Sequence, residues 1–428
     1  MKNIKYLSFF LLFILCFRLE ADEPKFRYTK TSPAGQELLQ NSKTLGPGSI
    51  PVPRFALTNK SNTFILALGG FIQPVTGMDI GNTLSGNMYF SPAAITNVPA
   101  LKGQKADFFI NPLNSAIDLQ VIGFANTSKQ LTGYVKFDFS GGNGNKTASL
   151  SAVYVKFYGF MGGYNHSIFT DVYSLSKTIS WSGVTGNSWS KSYQISYNSP
   201  SFKGFSYGVS IEQPSYINGD YKYEGKDFPE YDDDEVIAKA TQPVPDIPVY
   251  IQYKWKEKNH IRLSAVFRNF NYVNKISDKL SNTFGAGVQL SSALRVVNPL
   301  TLYLQAIYGK GIGHYINGIQ YLPVSFLPDD AKPGKIKATG MLGCIAGLKY
   351  DLNPAMSLNA SIGHSRIYDI NTAYWDKYRY GLDARFSFFY NVTPYIQTGI
   401  EYLWGKQVRF DHQQASVNRI QAMVMFYL

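Results

Sequence analysis

Long stretches of this chain alternate apolar and polar residues with a period of two. Leu131, Gly133, Val135, Phe137 and Phe139 fall on one side, and Thr132, Tyr134, Lys136, Asp138 and Ser140 on the other. Successive side chains of an extended backbone point to opposite faces, so this period predicts strands with one greasy and one polar face. Ile261, Leu263, Ala265 and Phe267 alternate with Arg262, Ser264, Val266 and Arg268 in the same way. Leu382, Ala384, Phe386, Phe388 and Tyr390 oppose Asp383, Arg385 and Ser387, and Ile396, Ile400, Tyr402 and Trp404 oppose Gln397 and Glu401. The last segment, Val417 to Leu428, sets Arg419, Gln421 and Tyr427 against Ile420, Ala422, Val424, Phe426 and Leu428.

The spacing of the turns decides what these strands build. Links at 126–129, 158–159, 198–204, 257–258, 296–298, 351–354 and 391–394 are short. Between them lie long links at 76–115, 170–191, 214–247, 271–282, 309–338, 368–379 and 407–416, with one of moderate length at 141–146. A sandwich has no reason to keep that parity. A membrane barrel does, with short periplasmic turns on one rim and long extracellular loops on the other. Hydrocarbon offers no partner to backbone N–H and C=O groups, so only a closed sheet can cross it with strands. The predicted fold class is therefore all-β: a transmembrane antiparallel β-barrel of about sixteen strands over residues 61–428, wide enough for an aqueous lumen.

The front of the chain places it in the cell. Lys2 and Lys5 precede an apolar run from Tyr6 to Phe17, and Leu19-Glu20-Ala21 follows, so residues 1–21 read as a signal peptide. Cys16 follows Phe13-Ile14-Leu15 with no small residue beside it, which argues against a lipid anchor. Loss of residues 1–21 removes Lys2, Lys5, Arg18 and Glu20, lowering the formal charge of +12 by two. Cys344 then remains alone, so no internal disulfide is available. Residues 22–60 lack alternation and carry Pro33, Gly46-Pro47-Gly48, Pro51 and Pro53, which reads as an extended periplasmic lead-in. No later stretch reaches the roughly 18 apolar residues of a spanning helix. Tyr390, Tyr402, Trp404, Tyr253 and Trp255 sit near strand ends on the apolar face, as interfacial girdle residues do.

Several stretches resemble the DcaP-like trimeric porins. They are Gly48-Ser49-Ile50-Pro51-Val52-Pro53 ahead of the first strand, Leu68-Gly69-Gly70-Phe71-Ile72, residues 261–270, residues 308–316, Glu401-Tyr402-Leu403-Trp404-Gly405-Lys406 and Asn418-Arg419-Ile420-Gln421. The resemblance implies a sixteen-stranded homotrimeric outer-membrane channel for small, often anionic solutes, with its third long loop folded into the lumen. Better known members carry an N-terminal coiled coil; no heptad run occurs here, so trimer contacts fall to the barrel walls. The family's Arg-containing strand after that loop corresponds to residues 192–197, which hold no Arg, and Leu428 stands where an aromatic residue is usual.

Candidate chemistry follows from the polar face. Lys136, Lys254, Arg262, Arg268, Arg385 and Arg419 would line the lumen and raise the local concentration of anions. Alternatively they pair with Asp138, Asp383 and Glu401 on the same face and simply keep the lumen solvated. The link from Thr170 to Lys191, with Trp181 and Trp189, is the candidate constriction. The acidic residues Glu230, Asp232, Asp233, Asp234 and Glu235 form a loop tip suited to bridging lipopolysaccharide through cations. His166, His260, His314, His364 and His412 are scattered, without metal-ligand spacing, and Gly309-Lys310-Gly311-Ile312-Gly313 lacks the spacing of a phosphate loop. No enzyme, cofactor or metal site is expected. Lys and Arg are dispersed, which argues against nucleic acid. The expected function is an outer-membrane porin passing small hydrophilic solutes with an anion bias toward dicarboxylates, after insertion by the barrel assembly machinery. The alternatives are a barrel with a blocked lumen acting as a receptor or adhesin through its loops, or a secreted soluble β protein.

Overall fold

A computed structural model describes residue 34 and residues 55–428, apart from 60, 62, 85–88, 104–105, 142–146, 181–182, 216–236, 257–258, 369 and 371–375. The expected signal peptide, the Gly48–Pro53 phrase, the acidic run and Trp181 lie outside the described residues. Sixteen antiparallel strands close into a barrel. The first, Phe64–Ile72, continues past a kink as Val75–Ile80, and the second is Ala106–Asn111 continued by Ala116–Gly123. Leu131–Gly141, Thr147–Phe157, Phe160–His166, Lys191–Asn198, Phe205–Glu212 and Ile247–Trp255 are the third to eighth. Asn259–Asn274, Lys279–Val297, Leu300–Lys310, Gly340–Asp351, Met356–Ile367, Tyr378–Thr393, Ile396–Arg409 and Gln414–Tyr427 complete the wall.

Closure depends on the last strand pairing with both parts of the first, from Asn418 opposite Ile80 to Tyr427 opposite Phe71, and Leu428 N–H donates to the Gly70 carbonyl at 3.0 Å. The last strand stops short of the first strand's start. A short strand, Phe55–Thr58, pairs there with Ile65–Leu68, so the exposed edge is covered.

Three expected links are corrected. Strand pairing occupies both ends of 76–115, because the chain kinks at Gln73-Pro74 and Asn111-Pro112 without leaving the wall; Gln73 N–H donates to Ser115 Oγ at 3.0 Å across the kink. Residues 271–282 are the continuation of a hairpin whose turn spans only 275–278. The asparagines there look like turn residues, yet Asn271 is held in strand geometry by Gln242, which accepts from its N–H at 2.9 Å and donates to its carbonyl at 2.7 Å. Residues 407–416 likewise close in a tight turn, where Arg409 N–H donates to the Gln413 carbonyl at 2.9 Å.

Face polarity follows the alternation. On Met356–Ile367, Ser357, Asn359, Ser361, Gly363 and Ser365 are buried inward, while Ile362 points out and is 52% exposed. Among the described residues no helix is long and apolar enough to cross a membrane. Outward aromatics cluster at the short-turn rim, with Phe160 against Tyr197 at 4.9 Å and Phe205 against Tyr253 at 4.7 Å between ring centroids. Amphipathic rings belong at that depth. Ile362→Lys should cost about 2–4 kcal/mol, as a cation on the lipid face does near mid-membrane. Urea unfolding in lipid vesicles checks this; a cost near zero would place Ile362 away from hydrocarbon.

Candidate functional site

The segment 167–190, between the fifth and sixth strands, crosses the interior and fastens to the opposite wall. At its start Asp171, fully buried, accepts from His260 Nε2 at 2.7 Å and from Ser291 Oγ at 2.6 Å. Burial works to raise the pKa of Asp171, but the His260 hydrogen bond, the Arg262 charge and the Ser291 hydroxyl outweigh it and hold the carboxyl well below the usual range. Farther on, Ile179 N–H and Ser180 N–H donate to the two oxygens of Glu401 at 2.9 and 3.2 Å, and Thr185 N–H donates to Asp383 Oδ1 at 3.0 Å. Lys177 Nζ donates to Gln397 Oε1 at 3.0 Å and lies 4.0 Å from the centre of the Phe389 ring. Wall carboxylates thus accept the loop's own N–H groups, as charge-assisted bonds in a confined polar interior do well.

The wall makes room with glycine. A Cβ on Gly343 would meet the Gly186 carbonyl at 2.5 Å, and one on Gly363 would collide with the Thr185 carbonyl. Neighbouring inward positions on the twelfth and thirteenth strands are therefore flat, and the loop backbone lies against them.

A second loop interlocks with the first. Gly186 N–H donates to the Asn317 carbonyl and Asn317 N–H to the Asn187 carbonyl, both at 2.9 Å, while Trp189 N–H donates to the Tyr315 carbonyl at 3.2 Å. Tyr315 Oη then donates toward Asp246 Oδ2 at 3.0 Å and Glu212 Oε2 at 3.3 Å, tying this loop back to the wall. A third loop inserts Phe90, whose ring lies 5.6 Å from the guanidinium carbons of both Arg385 and Arg419.

All six cations expected to line the lumen have inward backbone parity, and three of them, Arg268, Arg385 and Arg419, are bonded to carboxylates. Arg268 bonds Asp246 at 2.9 Å and the carbonyls of Gly311 and Ser215. Arg385 bonds Asp383 at 2.8 Å and the Phe90 carbonyl at 3.0 Å. Arg419 bonds Asp79 at 2.6 and 2.9 Å, a bidentate fork. Arg262 bonds the Ile168 carbonyl, lies on the Tyr250 ring at 3.7 Å and shares the field of Asp171. Lys136 is buried opposite Asp118 in register. Lys254 is exposed near the short-turn rim, 5.3 Å from the Tyr173 ring of the crossing segment. Of the constriction residues, Trp189 packs edge-on against His166 at 4.5 Å, and Lys191 Nζ donates to the carbonyl and Oγ of Ser151 at 2.8 Å.

Sequence reading missed Asp79, Asp171, Asp246 and Tyr315 as partners. Asp79 was legible in principle, because it stands directly across from Arg419 once the kinked strand is recognised. Asp171, Asp246 and Tyr315 come from loops, where no period reports position. The glycines at inward parity, Gly343 and Gly363, were a usable sign of a docked loop.

Comparison with known proteins agrees with this architecture. No curated protein matches the chain by sequence. The crystal structure of the outer membrane channel DcaP of Acinetobacter baumannii superposes with a TM-score of 0.71 at 17% identity, covering 87% of this chain and 99% of that one. The anion-selective porin from Comamonas acidovorans gives 0.53 at 9% identity, over 85% of this chain and all of that one, its share being 100%. Salmonella typhi OmpF in complex with daunomycin gives 0.51 at 10% identity, over 87% of this chain and 100% of that one. The resemblance to DcaP-like porins read from short phrases is thus met in the fold. Residues 115–423 match the family model described as the porin subfamily, and with a closed barrel, a polar inner face and a loop folded across it, the chain belongs to that family and is an outer-membrane channel.

Proposed function

We propose that this channel passes small hydrophilic solutes by diffusion through a lumen narrowed by segment 167–190, with a bias toward anions such as dicarboxylates. The observation that carries this reading is the anchoring of that segment by Glu401, Asp383 and Asp171 inside the barrel. A receptor working through surface loops has no use for a long loop fastened to the inner wall, whereas a size-limited pore does. The anion bias rests on inward cations in a confined, low-dielectric passage, Lys136 and Lys254 among them. Resemblance to the trimeric porins supports a homotrimer packed through barrel walls. Residues 1–21 then act as a removed export signal and residues 22–60 as a periplasmic lead-in, the barrel assembly machinery inserts the chain, and the acidic loop tip meets lipopolysaccharide.

Conductance of the refolded protein in a planar bilayer under a potassium chloride gradient tests this. Current steps grouped in threes with an anion-favouring reversal potential are expected. Silence from a correctly folded barrel would transfer the argument to a blocked barrel acting through its surface.

A further inference from the structure

Arg366, Lys406 and Lys310 stand on the outside of the wall, near the rim that carries the long loops. The thirteenth strand leaves the short turn at 351–354 and presents Leu358, Ala360, Ile362, His364 and Arg366 outward in succession. With Ile362 near mid-membrane, Arg366 lies four residues on, about 13 Å along the strand and about 10 Å of height at a tilt near 40°, close to half of an apolar band about 25 Å tall. Arg366 therefore reaches headgroup depth on the extracellular side. Register sets Leu342, Arg366 and Tyr380 in one row and His364, Leu382 and Lys406 in a neighbouring row. Lys310 is in the row on the other side, opposite Gly340, whose carbonyl accepts Tyr368 N–H at 2.9 Å. Lys406 and Lys310 are each two strands and one row from Arg366, about 12 Å between Cα atoms, which long side chains can span. The Arg366 guanidinium carbon lies 4.9 Å from the centre of the Tyr368 ring, and that ring lies 6.2 Å from Tyr308. His364 meets Tyr380 edge-on at 5.8 Å and its Nδ1 donates to the Gly381 carbonyl at 3.0 Å. Amphipathic rings gather at headgroup depth. No Asp or Glu falls at outward parity on the eleventh to fifteenth strands, and among the described residues none of these three cations bonds a carboxylate. The rim carboxylates Asp376 and Asp411 are taken by Lys377 and by Gln413 N–H, and the Arg366 Nε has no hydrogen-bond partner among the described residues.

We propose that Arg366, Lys406 and Lys310 form an outward-facing seat for the phosphorylated headgroup of a lipopolysaccharide molecule in the outer leaflet. A cation on the lipid face is costly at mid-membrane and tolerated at the interface, where a lipid phosphate at the same depth supplies the missing countercharge. The guanidinium holds a phosphate as a fork, and the two ammonium groups act on it as point charges. Directly below, Ile362, Phe386 and Ile400 point outward and are 52%, 53% and 59% exposed, an apolar wall on which acyl chains can lie. Phosphate above and hydrocarbon below on one strip of wall fit a lipid, whereas a free anion would leave the lower part unused. The seat is outside the barrel, so it is independent of what the pore passes, and it needs no bridging cation of the kind an acidic loop tip requires.

The test titrates the full-length refolded protein in detergent with diphosphorylated lipid A and reads it by native mass spectrometry, which counts bound lipids and associated subunits together. Arg366→Gln should raise the lipid concentration for half-occupancy by about tenfold, the effect of one lost charge-assisted contact. Arg366→Lys should fall between this and the wild type, because it keeps the charge and loses the fork. Lys310→Gln combined with Lys406→Gln should shift half-occupancy by a similar factor, and this pair carries the test if Arg366→Gln fails to show the heat-modifiable migration of a folded barrel. Dephosphorylated lipid A should bind the wild type and all variants equally. A wild type indifferent to the phosphates, or occupancy by the diphosphorylated lipid that survives both sets of substitutions, would overturn the seat. Equal losses with the dephosphorylated lipid would assign the patch to acyl packing and overturn it as well. Displacement of the lipid by inorganic phosphate would make this a site for the free anion, against the lipid assignment. Loss of subunit association in the variants without lipid would make the face a contact between copies of the chain, again overturning the seat.

Discussion

Asp383→Ala is expected to destabilise the barrel by about 3–5 kcal/mol, because it strands a buried guanidinium. Asp383 is fully buried and is held by both Nε and Nη2 of Arg385, at 3.1 and 2.8 Å. The same carboxylate accepts Thr185 N–H, so its loss also releases the middle of the crossing segment. The remaining charge-assisted bond on Arg385, to the Phe90 carbonyl, cannot supply a countercharge. Replacing the pair together, as Asp383→Leu with Arg385→Met, should cost less than Asp383→Ala alone, since no charge is then left without its partner. Urea unfolding of the refolded protein, followed by heat-modifiable migration, measures both. A single substitution as stable as the wild type would mean that water screens this pair, and the burial argument would fail. The result also bears on selectivity, since removing Arg268 or Arg385 alone leaves a buried carboxylate behind and changes two charges' environments at once.

Gly363→Val should reduce single-channel conductance by a factor of about two or more, since a close-packed interior has no slack for a branched side chain. The Cβ alone would collide with the Thr185 carbonyl and approach Val184 Cβ at 2.9 Å. Backbone on both sides is fixed, by strand pairing at Gly363 opposite Asp383 and by the reciprocal bonds of residues 186–187 with Asn317. The loop must therefore move away from the wall and into the passage. Glu401→Gln serves as the contrasting variant. It keeps the shape but weakens the bonds from Ile179 N–H, Ser180 N–H and Ser387 Oγ, which should show as noisier current with little loss of mean conductance. If Gly363→Val conducts like the wild type, the segment is not the narrowest element of the pore.

Much of the barrel was legible because membrane crossing imposes one rule at every strand. Leu131–Phe139 and Ile261–Phe267 had to alternate, since one face meets hydrocarbon and the other water. The rule fails where a strand leaves the bilayer or bends. Asn271 looked like a turn residue because its strand continues past the expected boundary, where Gln242 supplies its partners, whereas Asn274 does serve the turn, its Oδ1 accepting Ile276 N–H at 3.0 Å. Phe270 reaches the same layer, with its ring 4.9 Å from Phe326. At Gln73-Pro74 proline removes one ladder donor, and the strand survives because Pro74 still accepts Val424 N–H at 3.3 Å.

The inward cations divide along the same line. Parity alone put Arg268, Arg385 and Arg419 on the inner face, and register explains why Arg419 finds Asp79. It could not tell that Asp246 would come from the edge of a long loop to Arg268, or that Asp171 would meet His260 across a separation of 89 residues.

The sequence by itself determined that this chain crosses a membrane as a closed antiparallel barrel with a polar interior, because period-two alternation and turn parity are imposed by the solvent on each face, residue by residue. Tertiary structure alone decided how the interior is filled. Loop backbones bind wherever an inward carboxylate such as Glu401 or a flat position such as Gly363 offers a partner at the right height, and that height is set by register and curvature that no local pattern encodes.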